Sequence, residues 1–275
     1  MKVLYNRSLF CTVKKLHTGD ILAETSLVGT DCEAVAGIRA DLKTYHVKWA
    51  GWEIFRSPGG ALDGRGEVDG IVGKEAYFNI GGELRKELGD VFGGVPGELL
   101  SECVRGLIQA ETFIQVERGY PTPQSYDAYW KEFYKDSCRY YSNLDRISEE
   151  WHDYVGDAAR RGNLYNKNKC CTVYLRSDGG YTSAGTFMDS FHEMGVVLHL
   201  SPDGIAIDCA GNFLRAPDRV CFENAEHLPR LMGKKVPGLS KKDIAATAGG
   251  PQGCVHLVDI LYDLAGSAAV VFSGV

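Results

Sequence analysis

The fold is decided by one stretch in the second half of the chain, His192-Glu193-Met194-Gly195-Val196-Val197-Leu198-His199-Leu200-Ser201-Pro202-Asp203-Gly204-Ile205-Ala206-Ile207-Asp208-Cys209. Apolar residues alternate with other residues over 192–200, which is the pattern of a half-buried strand. The next four residues combine proline, aspartate and glycine, which favour a tight turn. Residues 205–209 alternate again, so the stretch predicts a β-hairpin.

Two helices are predicted to follow this hairpin. Pro217 suits the first turn of a helix that runs to about Met232, where Gly233 ends it. A second helix is predicted after Gly253. Its apolar stripe consists of Leu257, Leu261, Leu264 and Ala268. Strands followed by helices in a short unit predict an antiparallel sheet covered on one face by helices, which is an α+β class.

Short motifs of the second half repeat motifs of the first half at an offset of about 160 residues. The matches are Leu4-Tyr5-Asn6 with Leu164-Tyr165-Asn166, Cys11-Thr12-Val13 with Cys171-Thr172-Val173, Arg56-Ser57-Pro58 with Arg215-Ala216-Pro217, Gly73-Lys74 with Gly233-Lys234, and the glycine-rich 93–97 with 249–253. Their common order predicts a tandem duplication, with a first repeat over 1–118 and a second over 161–275. Such a pair would imitate a homodimer in one chain.

Residues 119–160 differ in character from both repeats. Aromatic residues recur there at three- and four-residue spacing between Tyr126 and Tyr154, as one face of a helix requires. We interpret the segment as an aromatic-rich helical connector, in one or two pieces. Its aromatics would either pack the repeats together, the interpretation we favour, or form the wall of a substrate pocket.

Composition restricts the class of protein. Of 275 residues, 44% are hydrophobic, and 36 acidic against 30 basic residues argue against a surface built to coat nucleic acid. No apolar run approaches the roughly 18 residues of a membrane helix, and the first residues lack the apolar core of a secretory signal. Nine cysteines, an odd number without a C-x-x-C pair, indicate reduced thiols. We therefore expect a cytoplasmic protein with a small-molecule substrate, no nucleic-acid or membrane partner, and a possible homo-oligomer.

The strongest motif is Gly249-Gly250-Pro251-Gln252-Gly253-Cys254-Val255-His256-Leu257. It resembles the C-terminal signature G-G-x-x-G-C-T-H-L of a bacterial domain family of unknown function, with Val255 in place of threonine. The rest of that family's pattern is matched by His192-x-Met194, Pro217-x-x-x-Cys221 and Leu231-x-Gly233. The resemblance covers about 161–275, and the first repeat resembles a diverged copy. It implies positions for a site and no reaction.

The motif also has a physical interpretation of its own. Glycines before a helix would leave Cys254 and His256 in its first turn, where unpaired N–H groups and the positive dipole end favour a thiolate. Asp259 is positioned to orient the histidine ring. In the aligned first repeat, the positions of Cys221, Cys254 and His256 are occupied by Leu62, Glu98 and Leu100. We therefore expect one site, in the second repeat.

Three interpretations of Cys221, Cys254 and His256 stay open. They could hold a divalent metal, zinc foremost, with His192 or Asp208 as a further ligand or neighbour. A metal-bound water would then act in a hydrolase or a hydratase/lyase on a carbonyl-containing substrate, with His256, Cys254 and Asp208 as catalytic candidates. Alternatively, Cys254 could be a nucleophile with His256 as acid and base, or the residues could merely pack.

A rival class of function needs no catalysis. The chain could be a ligand-binding or assembly module that uses the cleft between the repeats. Arg56 and Arg215, each two residues before a proline, are expected to bond carbonyl or carboxylate groups where a strand meets a helix. Their presence in both repeats favours a structural role for them.

Overall fold

The computed structural model describes residues 1–57, 64–156 and 159–274. They form two compact units, one of Met1–Ser8, Asp127–Asp157 and Lys169–Val275, and one of Leu9–Tyr126 and Ala158–Asn168. The predicted α+β class is confirmed, since a large antiparallel sheet is combined with seven α-helices in the described residues. The predicted duplication boundaries stay a prediction, because spatial compactness does not report ancestry.

The unit with residues 169–275 is built on strands that follow one another in sequence order. They are β6 (Asn163–Leu175), β7 (Tyr181–Asp189), β8 (Glu193–Leu200) and β9 (Ala206–Arg215). β8 and β9 pair antiparallel, so the predicted hairpin is confirmed. Gly204 has a φ of 81° in its turn, a conformation that glycine adopts without strain. Val196 and Leu198 are buried, whereas Val197 between them is exposed. The alternation therefore gives the sheet a core face and an open face.

The segment after β9 is only partly as predicted. In place of one helix over 217–232 there is a single α-helical turn, α5 (Arg219–Phe222), and then a 3-10 helix over Glu223–Leu231 that contains Pro229. Gly233, with a φ of 79°, follows it closely. Proline lacks the N–H that an α-helix needs, which accounts for the change of helix type. A further helix, α6 (Lys241–Ala248), was not predicted.

The last helix, α7 (Val255–Phe272), is the core element of this unit. Its predicted stripe of Leu257, Leu261, Leu264 and Ala268 is buried. By length and composition alone α7 could cross a membrane, but just over half of it is buried inside the protein. It packs on β7, as the core helix of a folded unit does.

The other unit has a similar order of elements. Its strands are β1 (Lys2–Lys15), β2 (Asp20–Gly29), β3 (Glu33–Asp41), β4 (Val47–Arg56) and β5 (Gly64–Glu67), and its main helices are α1 (Gly81–Leu88) and α2 (Val95–Ala110). α2 packs on β2 and β3 through Leu99, Cys103 and Leu107, all fully buried. Leu62, which we aligned with Cys221, and Pro58 of the repeated motif lie outside the described residues.

The described residues of the segment predicted as a helical connector, 119–160, contain two helices, α3 (Pro123–Phe133) and the five-residue α4 (Trp151–Val155). Turns occupy most of the interval between them. Tyr140, in one of these turns, belongs to the hydrophobic core that α7 forms. The helical spacing of the aromatic residues therefore extends over a longer stretch than the helices themselves.

Candidate functional site

The site begins at the turn between β7 and β8. Asp189 ends β7, and its Oδ1 accepts hydrogen bonds from the backbone N–H groups of Phe191 (2.8 Å) and His192 (2.6 Å). The backbone N–H of Asp189 donates to the carbonyl of His192 at 2.8 Å. An aspartate that bonds to the next residues of its own backbone defines a tight turn. The conformation therefore fixes His192 beside the Asp189 carboxylate.

Arg215 holds this turn from the end of β9. Its guanidinium donates to the carbonyls of Asp189 (2.6 Å), Ser190 (2.9 Å) and His192 (3.2 Å). Arg56 makes corresponding bonds to the carbonyls of two residues of its own unit, Gly29 and Thr30. The prediction that both arginines bond carbonyl groups is confirmed. Because one guanidinium binds three carbonyl groups, Arg215 ties the turn to the end of β9.

His256 reaches the turn from the start of α7. Cys254 is the N-cap residue of α7, as the predicted helix start requires. A Cβ on Gly253 would lie 2.3 Å from the carbonyl oxygen of Ala248, so only glycine fits there. The glycine-rich motif therefore turns the chain sharply and places His256 in the first turn of the helix.

A buried arginine outside the predicted site anchors the same loop. The backbone N–H of Arg139 donates to the carbonyl of Gly253 at 2.9 Å, and its side-chain Nε donates to the carbonyl of Gln252 at 3.2 Å. Its Nη2 lies 3.1 Å from Nε2 of His227. Sequence analysis missed Arg139 because nothing local marks an arginine in an aromatic segment as buried.

The rings of His192 and His256 lie against each other. Their centroids are 3.9 Å apart with 32° between the ring planes, and Phe187 packs edge-on against His256 with a centroid distance of 5.2 Å. Nδ1 of His192 is 3.2 Å from Oδ1 of Asp189. One potential ligand atom from each of Asp189, His192 and His256 lies within 4.8 Å of the others. In the part of the chain that the structure describes, this is the one such group of three side chains that could hold a metal ion.

The pKa of the Asp189 carboxyl group and the pKa values of the nearby thiols are shifted in opposite directions. Burial raises the pKa of Asp189, but the adjacent His192 and the backbone donors outweigh it and leave that pKa well below its usual range. Burial raises the pKa of the Cys254 thiol to about 12, although backbone N–H groups of α7 act in the opposite direction. Burial likewise raises the pKa of Cys221 to about 12. Burial therefore acts against the thiolate that the start of α7 is expected to favour.

The structure brings together only part of the predicted residue set. His192 and His256 are in contact, and Sγ of Cys254 lies 3.9 Å from Nδ1 of His256, at the margin of the cluster. Cys221, buried on α5, is close enough to Cys254 for their charges to interact, but it is not one of the three clustered side chains. Asp208 is exposed on β9, paired with His199 of β8, and lies outside the cluster.

The two carboxylate oxygens of Asp259 pair with Lys169 (3.2 Å) and Lys241 (3.0 Å). That Asp259 orients the ring of His256 stays a prediction. Asp189, which we did not select, contacts His192 directly. The signal for it is the spacing of Asp189 and His192 across the end of a strand, since an aspartate there can bond the backbone two and three residues ahead.

One family model matches this part of the chain. Residues 167–270 match a family described as a protein of unknown function, DUF2889, and both histidines of the cluster lie within the match. This part of the chain is thus similar to a family of unknown function, as the resemblance implied. No curated protein and no solved structure matches the chain.

Proposed function

We propose that the chain is a small-molecule enzyme that works with a divalent metal ion, zinc foremost, held by Asp189, His192 and His256. The observation that carries this proposal is the convergence of one ligand atom from each side chain within 4.8 Å. Two imidazoles and a carboxylate are a common zinc ligand set, and three protein ligands leave a coordination position for water. A water made acidic in this way attacks carbonyl groups, so we propose a hydrolase or a hydratase/lyase acting on a carbonyl-containing substrate.

The local contacts assign distinct roles to the side chains. Oδ1 of Asp189 and Nδ1 of His192 lie 3.2 Å apart, close enough for both atoms to bind one ion, so Nδ1 is the nitrogen of that ring that would serve as the ligand. Arg215 keeps the turn in place through its three carbonyl bonds. Cys254, 3.9 Å from Nδ1 of His256, is the candidate for a further ligand. Cys221 and Asp208, which the sequence suggested, have no part in the proposed centre.

We also propose that the two halves arose by duplication and that the first, 1–118, has diverged. The β3–β4 ladder has register shifts at Glu33/Ala34 and Arg39/Ala40, and the β8–β9 ladder has them at Glu193/Met194 and His199/Leu200. These are equivalent positions at the predicted offset. Bulges are specific features of a strand pair, so the same two in both ladders support common ancestry.

The duplication explains why only one half would be active. At the offsets that align the two halves, the counterparts of Asp189, His192 and His256 are Gly29, Cys32 and Leu100. The backbone of the turn is the same in both, since Gly29 N–H donates to the Cys32 carbonyl as Asp189 N–H donates to the His192 carbonyl. The two halves therefore share the backbone of the turn and differ in the side chains that could bind a metal ion. We read the glycine-rich segment 249–257 as the family signature that supplies His256.

The cellular setting is part of the same proposal. All nine cysteines are free thiols, and seven of them are buried. Free thiols in this number support a reducing, cytoplasmic compartment.

Metal analysis of the full chain tests the proposal. Protein purified without chelator, or reloaded with Zn²⁺ or Co²⁺, is expected to hold stoichiometric metal, and the Co²⁺ form to show visible absorption of a low-coordinate centre. His256→Gln and Asp189→Asn should lower metal content and affinity, with circular dichroism confirming the fold. His199→Gln is the matched control, because His199 bonds Thr182 on the sheet and lies outside the cluster.

Two results would decide against the metal centre. Metal content unaffected by His256→Gln would exclude the cluster as its site. Failure of the intact chain to take up Zn²⁺ or Co²⁺ would favour the non-enzymatic module. A near-ultraviolet sulfur-to-cobalt band that Cys254→Ser removes would add the thiol to the ligands.

A further inference from the structure

The open face of the β6–β9 sheet contains a trough that the proposed metal centre does not use. Its volume is about 570 Å³, within the range of pockets that hold small molecules. Two neighbouring cross-strand rows line it, and both run from β7 through β8 to β9. The rows are Ala184–Val197–Ala210 and Thr186–Gly195–Asn212.

Small side chains make the floor of the trough. Ala184, Gly195 and Ala210 carry at most one methyl group, and a Cβ added to Gly195 would meet no atom within 4 Å. Polar groups stand at the edges, where Thr186 and Asn212 are exposed. Val197, 37% exposed, projects from the middle of the first row, so the flat apolar part of the floor is the part over Gly195 and Ala210, with hydrogen-bonding groups beside it.

The other unit shows what such a sheet face accommodates. The indole of Trp49 lies flat on the backbone of its own sheet, over Gly37 and Gly51. A Cβ added to Gly51 would lie 2.7 Å from this ring, and one added to Gly37 would lie 3.0 Å from it. The indole Nε1 donates to Oε1 of Glu67 at 3.2 Å, so the edge of the ring is hydrogen-bonded.

The two sheet faces correspond row by row. Gly37 pairs with Gly51 as Val197 pairs with Ala210, and Arg39 pairs with Trp49 as His199 pairs with Asp208. An exposed aspartate therefore stands in the trough-bearing unit where the other unit has its tryptophan. Val197 stands where the other unit has Gly37, so the uncovered part of this face lies beside Val197, over Gly195 and Ala210.

We propose that this trough binds a planar aromatic group of a small molecule. The ring lies flat over Gly195 and Ala210, and a hydrogen-bonding substituent at its edge meets Asn212 or Thr186. A flat ring covers the floor with all its atoms in contact, whereas a puckered ring of the same size contacts it with about half of them. The trough lies on the face of the sheet opposite Phe187 and His256, so the proposal does not depend on a metal.

A matched pair of probes tests this binding site. 2-Naphthol and decahydro-2-naphthol carry the same hydroxyl on a flat and on a puckered bicycle. In amide NMR titrations of the full chain, 2-naphthol is expected to shift β7, β8 and β9 saturably, and the saturated analogue to bind about tenfold or more weakly.

Gly195→Trp is the decisive variant. Its ring would fill the trough, and a strand-forming residue on an open face should not lower Tm. We expect about a tenfold or greater rise in the Kd for 2-naphthol. Asp208→Trp, which copies the other unit, is the second blocking variant. Gly266→Ala is the control, because Gly266 is exposed on α7 and its added Cβ meets nothing within 4 Å.

Three outcomes would overturn the proposal. One is the absence of saturable shifts in β7–β9 with 2-naphthol. Another is equal affinity for the flat and puckered probes. The third is a dimer in light scattering that Gly195→Trp dissociates, which would make the face a contact between copies of this chain.

Discussion

Replacing Lys169 removes the positive charge from a buried ion pair. Lys169 extends from β6, and its side chain is 2% exposed. Its Nζ lies 2.8 Å from Oδ2 of Asp263 and 3.2 Å from Oδ2 of Asp259, both on α7. Lys169→Met keeps a similar apolar stem and leaves two carboxylates in the core without this cation.

The expected cost follows from burial. Removing one partner of a buried ion pair costs about 3–5 kcal/mol, because the other charge stays out of water. Lys241→Met is the matched control. It removes a 3.0 Å contact to the same Asp259, but the Lys241 side chain is 49% exposed. An exposed pair of this kind contributes at most about 1 kcal/mol.

Urea unfolding followed by circular dichroism measures both costs as shifts in midpoint at a common slope. Lys169→Met should lower the free energy of unfolding by at least about 2 kcal/mol more than Lys241→Met. Asp263→Asn in the Lys169→Met background should recover part of the loss, because it removes one of the buried charges. Equal effects of the two lysine substitutions would refute the reasoning.

Three further predictions concern packing, capping and pH. Gly106→Ala should lower Tm, because its Cβ would lie 2.9 Å from Sγ of Cys11, and overpacking of about 1–3 kcal/mol exceeds the helix propensity gained; an unchanged or higher Tm contradicts this. Ser240→Ala should cost about 1 kcal/mol in chemical unfolding, since it breaks the capping box of α6, and a neutral result would argue against that cap. The Asp127 carboxylate raises the pKa of His152, so this contact stabilises fully below the unfolded pKa of about 6.5 and is lost as pH rises through the higher folded pKa. The Tm difference between wild type and His152→Gln should therefore shrink with rising pH, and a constant difference would exclude the contact.

Local patterns in the sequence were sufficient to predict the β8–β9 hairpin and the helix α7. The alternation over 192–209 defines a hairpin because successive side chains of a strand point to opposite faces. The stripe that starts at Leu257 predicts α7 because side chains three and four apart share one helix face. The chain reversal before Cys254 was also readable, since glycine is the residue that such a turn requires.

Periodicity reports which face is buried, but not what lies across from it. Helix type in 217–232 was mistaken because Pro229 fits an apolar pattern and lacks the N–H of an α-helix. The lysine beside Asp259 was not predicted, because periodicity within a helix does not show that Lys169 of a strand lies across from it.

The composition of the site was set by tertiary structure. The sequence selected His192 and His256 by their motifs, and these two rings do meet. It could not select Asp189 over Asp208, since each lies near the end of a strand and only the turn and the approach of α7 distinguish them. Nor could it show that Cys254 would be buried with a raised pKa, because desolvation depends on every atom packed around a group. Sequence determines which chemical groups are available and which way their element faces, whereas distances and solvation arise only when distant segments pack.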